Sequence, residues 1–226
     1  MVRGVVVVGD AYEPMLANLQ ARGGFVLGDE DKAKLQATLW KDGHLNAKVV
    51  AQTPAFISSE AGFEVPEGTR FFIVPENGFG PQHPFSGEKM TVTIALYHAR
   101  DIDHAIELTN GIQSYQGMGH SCGIYSKTEE HVMRLGHAVK VSRVMVNQPQ
   151  APSNSGNLWN GLRQTFSLGC GSWGNTSTCN NISWRDLINE QYQRLSLVNG
   201  RNEALATLKK EGHRGICLLA QEVVPK

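Results

Sequence analysis

The sequence predicts an α/β protein, with a largely parallel sheet and flanking helices. Three observations carry that reading. Short apolar runs recur along the chain at residues 5–8, 70–74, 92–97, 121–125 and 142–147. Segments with apolar residues at helical spacing fall between them, the alternation that builds parallel sheets with crossover helices. The chain has 226 residues, 41% of them hydrophobic, enough to bury a core.

The first strand, residues 5–8, is four valines in a row, a pattern expected of a strand buried on both faces. Asp10 is placed to cap a helix over residues 12–21, with Met15, Leu16 and Leu19 on one face and Gly23-Gly24 at its end. A second helix is expected over 30–39, stopping at Asp42-Gly43, followed by a strand over 45–50. Proline at position 54 suits the first turn of a helix over 54–61. Pro66-Glu67-Gly68 turns the chain into the strand at 70–74. Residues 76–87, rich in Gly and Pro, form a long irregular stretch, of the kind that is functional or mobile in compact domains. Strand 92–97, helix 101–110, strand 121–125, helix 128–138 and strand 142–147 complete the alternation. Residues 150–164, rich in Asn, Ser and Gly, read as a surface connection. A helix capped by Ser183 should point Leu187, Ile188 and Tyr192 inward. The expected organisation is one domain over 1–195 and a helical tail over 196–226, with its helix at 202–210.

Composition narrows the function. Lys plus Arg and Asp plus Glu number 21 each, so no electrostatic footprint for nucleic acid or an anionic membrane is present. The longest apolar run is too short to span a bilayer, and the chain reads as cytosolic. Cys122, Cys170, Cys179 and Cys217 form no C-x-x-C pair and have no His partners at zinc spacing. They read as reduced and mostly structural. The eight histidines contain no metal-binding pair four residues apart, so no metal is expected.

The densest signal is GCGSWG at 169–174. Taken literally it satisfies the G-x-G-x-x-G pattern of dinucleotide-binding proteins. That pattern needs a helix to open at its third glycine, and here NTSTCNN follows, made of residues that prefer caps and turns. A phosphate-binding helix is therefore not expected. GCGSWG with its polar run and the DLIN segment instead resembles the closing signature of the CoA-acylating aldehyde dehydrogenases. HPFSGEK at 83–89 and GMGHSCGIY at 117–125 resemble further segments of that family. Within it, TVT at 91–93 and NISWRDLIN look most like the sulfoacetaldehyde branch. Val92 departs from the proline that many relatives carry there.

The resemblance implies roles that spacing alone does not give. Glu88 would approach the nicotinamide ribose hydroxyls, where a carboxylate accepts two hydrogen bonds. Read alone, it is a solvated loop carboxylate beside Lys89. His120 would lie near the catalytic thiol and the incoming CoA, suited to take a thiol proton near neutral pH. Read alone, it is a structural histidine at a strand edge. Gly169 and Gly171 would belong to a loop at the cofactor side of the active-site mouth. Asn147-Gln148-Pro149 is either a funnel-edge corner or an ordinary turn. Cys122 is expected to pack in the core.

The implied cofactors are NAD or NADP, with coenzyme A as co-substrate. The implied reaction oxidises a short aldehyde to an acyl-CoA through a cysteine thioester. None of the four cysteines stands in the family's nucleophile motif, and the resemblance covers residues 5–190 only. The chain alone is therefore expected to be inactive, completed by an amino-terminal half or assembled as a homo-oligomer. Two other readings remain: a non-catalytic assembly module that kept the fold, and an independent enzyme using Cys170 or Cys122 with His120.

Overall fold

The structure is a computed structural model and describes residues 4–188. The chain divides after Ser183. Residues 4–183 are taken first.

The element order is β1 (Gly4–Val8), α1 (Tyr12–Ala21), β2 (Gly24–Val26), α2 (Asp29–Leu39), β3 (Trp40–Lys41), β4 (His44–Leu45), α3 (Pro54–Ala61), β5 (Phe71–Glu76), β6 (Thr93–Ala99), α4 (Ile102–Tyr115), β7 (Cys122–Ile124), α5 (Glu129–Ala138), β8 (Val144–Val146) and α6 (Gln150–Asn154). Four strands form one sheet in the order β1-β6-β5-β2, every pairing parallel. A second parallel pair, β7 with β8, is extended by a bridge between Gly119 and Val141. The α/β, mostly parallel architecture is the one the alternating pattern predicts.

Strand periodicity sorts the core onto two faces. On β5, Phe72 and Val74 face α2, α3 and α4 with Leu35, Leu39, Ile57, Ala105 and Leu108. Ile73 between them faces the other way, toward Leu16 and Leu19 of α1. Phe72, Ile57 and Leu35 are fully buried, each contributing about 1.5–3 kcal/mol of transfer free energy. Trp40 meets Phe85 edge-on with ring centroids 5.2 Å apart, which pins the 76–90 segment to this core.

Local chemistry explains several boundaries. Thr53 caps α3 by accepting from the Phe56 N–H, and Gly62 ends it in the left-handed region. Asp101 caps α4 by accepting from the His104 N–H at 2.8 Å. Asp42 and Gly43, both at positive φ, form the tight turn that joins β3 to β4.

Other expectations are corrected. β1 is not buried on both faces: it is an edge strand of its sheet, and only its Val7 is buried. Asp10 caps nothing; it lies in a 3-10 turn over Gly9–Ala11, and the α1 N-cap position is Ala11. The 45–50 strand shrinks to its first residue within β4. Val49 reaches the core from a turn instead, 1% exposed. β2 was hidden by Gly24, whose missing Cβ would lie 2.6 Å from Ile73 Cδ1. Helix α4 runs on to Tyr115, and a short helix, α6, interrupts the 150–164 connection.

Beyond Ser183, Trp184–Leu187 is a 3-10 turn, and Leu187 and Ile188 are exposed, not inward. Tyr192, the expected helix at 202–210 and the rest of the tail lie outside the described residues. No helix among the described residues is long and apolar enough to cross a membrane.

Candidate functional site

The irregular 76–90 segment is held by buried polar groups. Glu76, at the end of β5, is buried and meets Lys32 Nζ at 2.8 Å and His83 Nδ1 at 2.9 Å. Ser86 Oγ donates to the His83 carbonyl at 2.7 Å and accepts from the Gly80 N–H at 3.0 Å. Tyr97 Oη donates to the Gly78 carbonyl; burial, then the Glu76 charge, raise the pKa of this phenol far above its ordinary value. Lys89 is 1% exposed, and its ammonium donates to the carbonyls of Phe85 and Gly87. A lysine buried this deeply needs such acceptors. The segment is thus an ordered loop that sets where Glu88 sits.

Glu88 is half-buried, and its N–H donates to Gln116 Oε1 at 2.7 Å. Gly87 allows that approach, since a Cβ there would meet Gln116 Oε1 at 2.6 Å. Gln116 follows the end of α4, one residue before the Gly117-Met118-Gly119-His120 turn. The two segments carrying Glu88 and His120 are therefore tied through one side chain.

His120 lies at the approach to β7. Its Nδ1 is 2.7 Å from Ser121 Oγ, which also accepts from Gln150 Nε2 at 2.9 Å. Gln113 Nε2 donates to the Ser121 carbonyl from α4. Ser121 Oγ can accept from both neighbours, so the tautomer with hydrogen on His120 Nδ1 is satisfied and places the ring's lone pair on Nε2.

The GCGSWG loop packs directly on this turn. Gly119 has φ +79°, and a Cβ there would lie 2.0 Å from the Cys170 carbonyl oxygen and 2.8 Å from Gly174 N. Gly174 returns the contact against Met118 O at 2.8 Å. The loop is a short antiparallel ladder: Ile182 N–H donates to Ser167 O, Gly169 N–H to Asn180 O, and Gly171 N–H to Thr178 O. Gly169 is needed because a Cβ would strike Thr178 O at 2.1 Å, and Gly171 because its φ is +63°. The third glycine closes a 3-10 turn, Ser172–Gly174, and no helix opens after it. The sequence's rejection of a phosphate-binding helix holds for the same reason.

Arg143 fastens the assembly. It is 5% exposed, and its Nε donates to Asn181 Oδ1 at 2.6 Å. Nη2 donates to the carbonyls of Gly169, Cys179 and Asn180 at 2.9–3.0 Å, and Nη1 to that of His120 at 3.3 Å. Burial lowers the pKa of this guanidinium, while Cys170 and Cys179 oppose that shift. Asn181 Nδ2 in turn donates to Arg163 O and Asn154 O.

The structure thus brings His120, Gly169 and Gly171 into one contiguous unit, with Glu88 linked to it through Gln116. Sequence reasoning missed Arg143, Asn181 and Gln116. Arg143 had a signal: it falls in phase with buried Val141 and Met145, every second residue of an extended segment. A charged residue in a core phase asks for partners. Gln116 and Asn181 had none. Cys122, expected in the core, is 9% exposed among Leu135, Val139 and Val141, and burial pushes its thiol up to about 11. An open groove lies along α1, lined by Pro14, Met15, Asn18 and Arg22, with no motif residue in its wall. Among the described residues, no three His, Cys, Asp or Glu side chains gather as metal ligands.

No family model matches the chain. It is 38% identical to a sulfoacetaldehyde dehydrogenase (acylating) of Cupriavidus necator over 187 residues, 82% of this chain and 38% of that protein. It is 33% identical to a succinate-semialdehyde dehydrogenase (acetylating) of Clostridium kluyveri, over 83% of this chain and 41% of that one. Among solved structures, an acetylating aldehyde dehydrogenase from Geobacillus thermoglucosidasius superposes with a TM-score of 0.79 at 27% identity, covering 86% of this chain and 44% of that chain. The chain spans about two fifths of the length of the curated relatives it matches.

Proposed function

Since this chain's homologues are acylating aldehyde dehydrogenases, whose fold it shares, we propose that it supplies the acyl-transfer side of a CoA-acylating aldehyde dehydrogenase. The whole enzyme would convert an aldehyde, NAD or NADP, and CoA into an acyl-CoA and the reduced nicotinamide. The substrate is a short aldehyde, and the Cupriavidus relative makes sulfoacetaldehyde the first to test.

One observation carries the reading. The three segments that resemble the family meet in space: the Cys170 carbonyl abuts Gly119, beside His120, and Gln116 ties Glu88 to the same turn. The residues present suit the co-substrates. His120, with Nδ1 held by Ser121 Oγ, is oriented to accept the proton of an incoming thiol at Nε2. Gln150 donates to that hydroxyl, and its own Oε1 is buried with no hydrogen-bond partner among the described residues. Glu88 sits on a braced loop where its carboxylate can accept from two ribose hydroxyls. Gly169 and Gly171 contribute by letting the backbone approach closely. The nicotinamide supplies the hydride acceptor when bound.

The nucleophile is not proposed among the cysteines described. Cys122 is buried and its thiol is pushed up, the opposite of what a thiolate nucleophile needs. We assign the nucleophile to the part of the enzyme that these residues do not span.

The test is to mix the purified chain with the portion of the Cupriavidus relative it does not cover. Complex formation is verified by gel filtration, and NADH formation is measured with sulfoacetaldehyde, CoA and NAD. Turnover that requires both pieces and CoA is expected. A verified complex with no aldehyde- and CoA-dependent turnover rules the reading out.

A further inference from the structure

We propose that Cys170 and Cys179 are a modification site, a facing thiol pair that closes into an intramolecular disulfide. The inference rests on strand register and stands apart from the activity proposed above.

The ladder's hydrogen bonds link 167 to 182, 169 to 180 and 171 to 178, with an antiparallel bridge pairing Leu168 to Asn181. Each pair sums to the same register, which sets Cys170 opposite Cys179. That position is a non-hydrogen-bonded one: Cys170 N–H donates to Thr176 Oγ1, and Cys179 O accepts from Arg143. At such positions facing Cα atoms lie about 4.5 Å apart, with both side chains on the same face of the ladder. A disulfide accepts Cα separations of about 4.4–6.8 Å. Gly174 packs on Cys170, where a Cβ would lie 2.3 Å from Cys170 Cβ, and Gly171 packs on Cys179, where one would lie 3.2 Å from Cys179 Cβ. Both thiols are free in this structure, Cys179 exposed and Cys170 partly so. The third described cysteine, Cys122, is buried in a separate cluster.

The oxidant is a low-molecular-weight disulfide of the glutathione class. The Cys179 thiolate attacks one of its sulfurs, forming a mixed disulfide and releasing one glutathione thiolate. The Cys170 thiolate then attacks Cys179 Sγ, expelling the second glutathione. Two protein protons and two electrons leave, and one glutathione disulfide becomes two glutathiones. The cross-link joins the two ladder legs whose carbonyls, those of Gly169, Cys179 and Asn180, hold Arg143. It therefore locks the surface on which the His120 turn rests.

The test uses the full chain, reduced, desalted and incubated with glutathione disulfide, then alkylated and digested with trypsin under non-reducing conditions. Cys170 and Cys179 share one tryptic peptide, residues 164–185, which has no internal Lys or Arg. The expected peptide carries no alkyl groups, is lighter by two hydrogens than the reduced form, and regains two alkyl groups after dithiothreitol. Cys170→Ser should stop the reaction at a mixed disulfide on Cys179. The proposal is overturned if both cysteines stay alkylatable, if each carries its own glutathione, or if the link forms only between molecules.

Discussion

Arg143 Nε donates to Asn181 Oδ1 at 2.6 Å, with each residue 5% exposed. The bond joins the strand approach after the His120 turn to the leg that closes the glycine-rich loop. Removing the guanidinium strands Asn181 Oδ1 and several backbone carbonyls away from water. Arg143→Met should lower unfolding free energy by about 2–4 kcal/mol and Asn181→Ala by about 1–3 kcal/mol. The double variant should cost clearly less than the sum, since each single change already breaks the shared bond. Urea unfolding of the four proteins measures this, and strict additivity would show that the two side chains act separately.

Two glycines separate steric need from mere composition. Gly119 has no room for a Cβ and sits at positive φ, whereas Gly136, inside α5, has nothing within 4 Å. Gly119→Ala should destabilise by at least about 2 kcal/mol, through both the clash and the strained backbone. Gly136→Ala should stabilise by about 0.5–1 kcal/mol by raising helix propensity. Thermal melts of the two variants should move in opposite directions. A neutral Gly119→Ala would mean that the two loops are not in contact.

The sequence disclosed most of the elements because its strands and helices differ in period. Tyr12–Ala21 and Pro54–Ala61 stand where their apolar spacing and proline put them. Its failures have physical causes. Four valines read as a central strand, but sheet position depends on pairings that no local pattern encodes, and β1 is at an edge. Val49 is as apolar as any strand residue yet serves the core from a turn. The site was legible as motifs and not as contacts. His120 and the 169–174 loop could be named from sequence, but the fit of Gly119 against Cys170 O depends on two backbones meeting across 51 positions of chain.

Cys122 makes stability depend on alkaline pH. Burial raises its thiol from 9.0 to about 11 in the folded chain, so the folded state holds a proton that the unfolded state has already lost at intermediate pH. Its contribution is fully present below pH 9.0 and is lost as pH rises through about 11. The loss over that window amounts to about 3 kcal/mol at most. Cys122→Val keeps the packing and should flatten this part of the stability profile. An unchanged slope would place the titrating group elsewhere. The same burial predicts that Cys122 resists alkylation at pH 8 in the native chain while Cys179 reacts.

The proposed roles of Glu88 and His120 can be pulled apart in the assembled enzyme, because they serve different co-substrates. His120→Ala should cut CoA-dependent product formation by about 10²–10⁴-fold, the range for losing a positioned proton acceptor, with KM for NAD unmoved. Ser121→Ala keeps the imidazole but removes the hydroxyl at its Nδ1. It should cost less than His120→Ala and move the pH profile of acyl transfer, which a purely structural residue would not do. Glu88→Gln should raise KM for NAD and leave the CoA step alone, since an amide accepts only at its oxygen. Steady-state kinetics with each co-substrate varied in turn reads all three. If His120→Ala slowed hydride transfer and acyl transfer equally, its place on the CoA side would be wrong. The Gln116 tether would then be the first structure to re-examine, because it fixes where the Glu88 segment stands relative to the His120 turn.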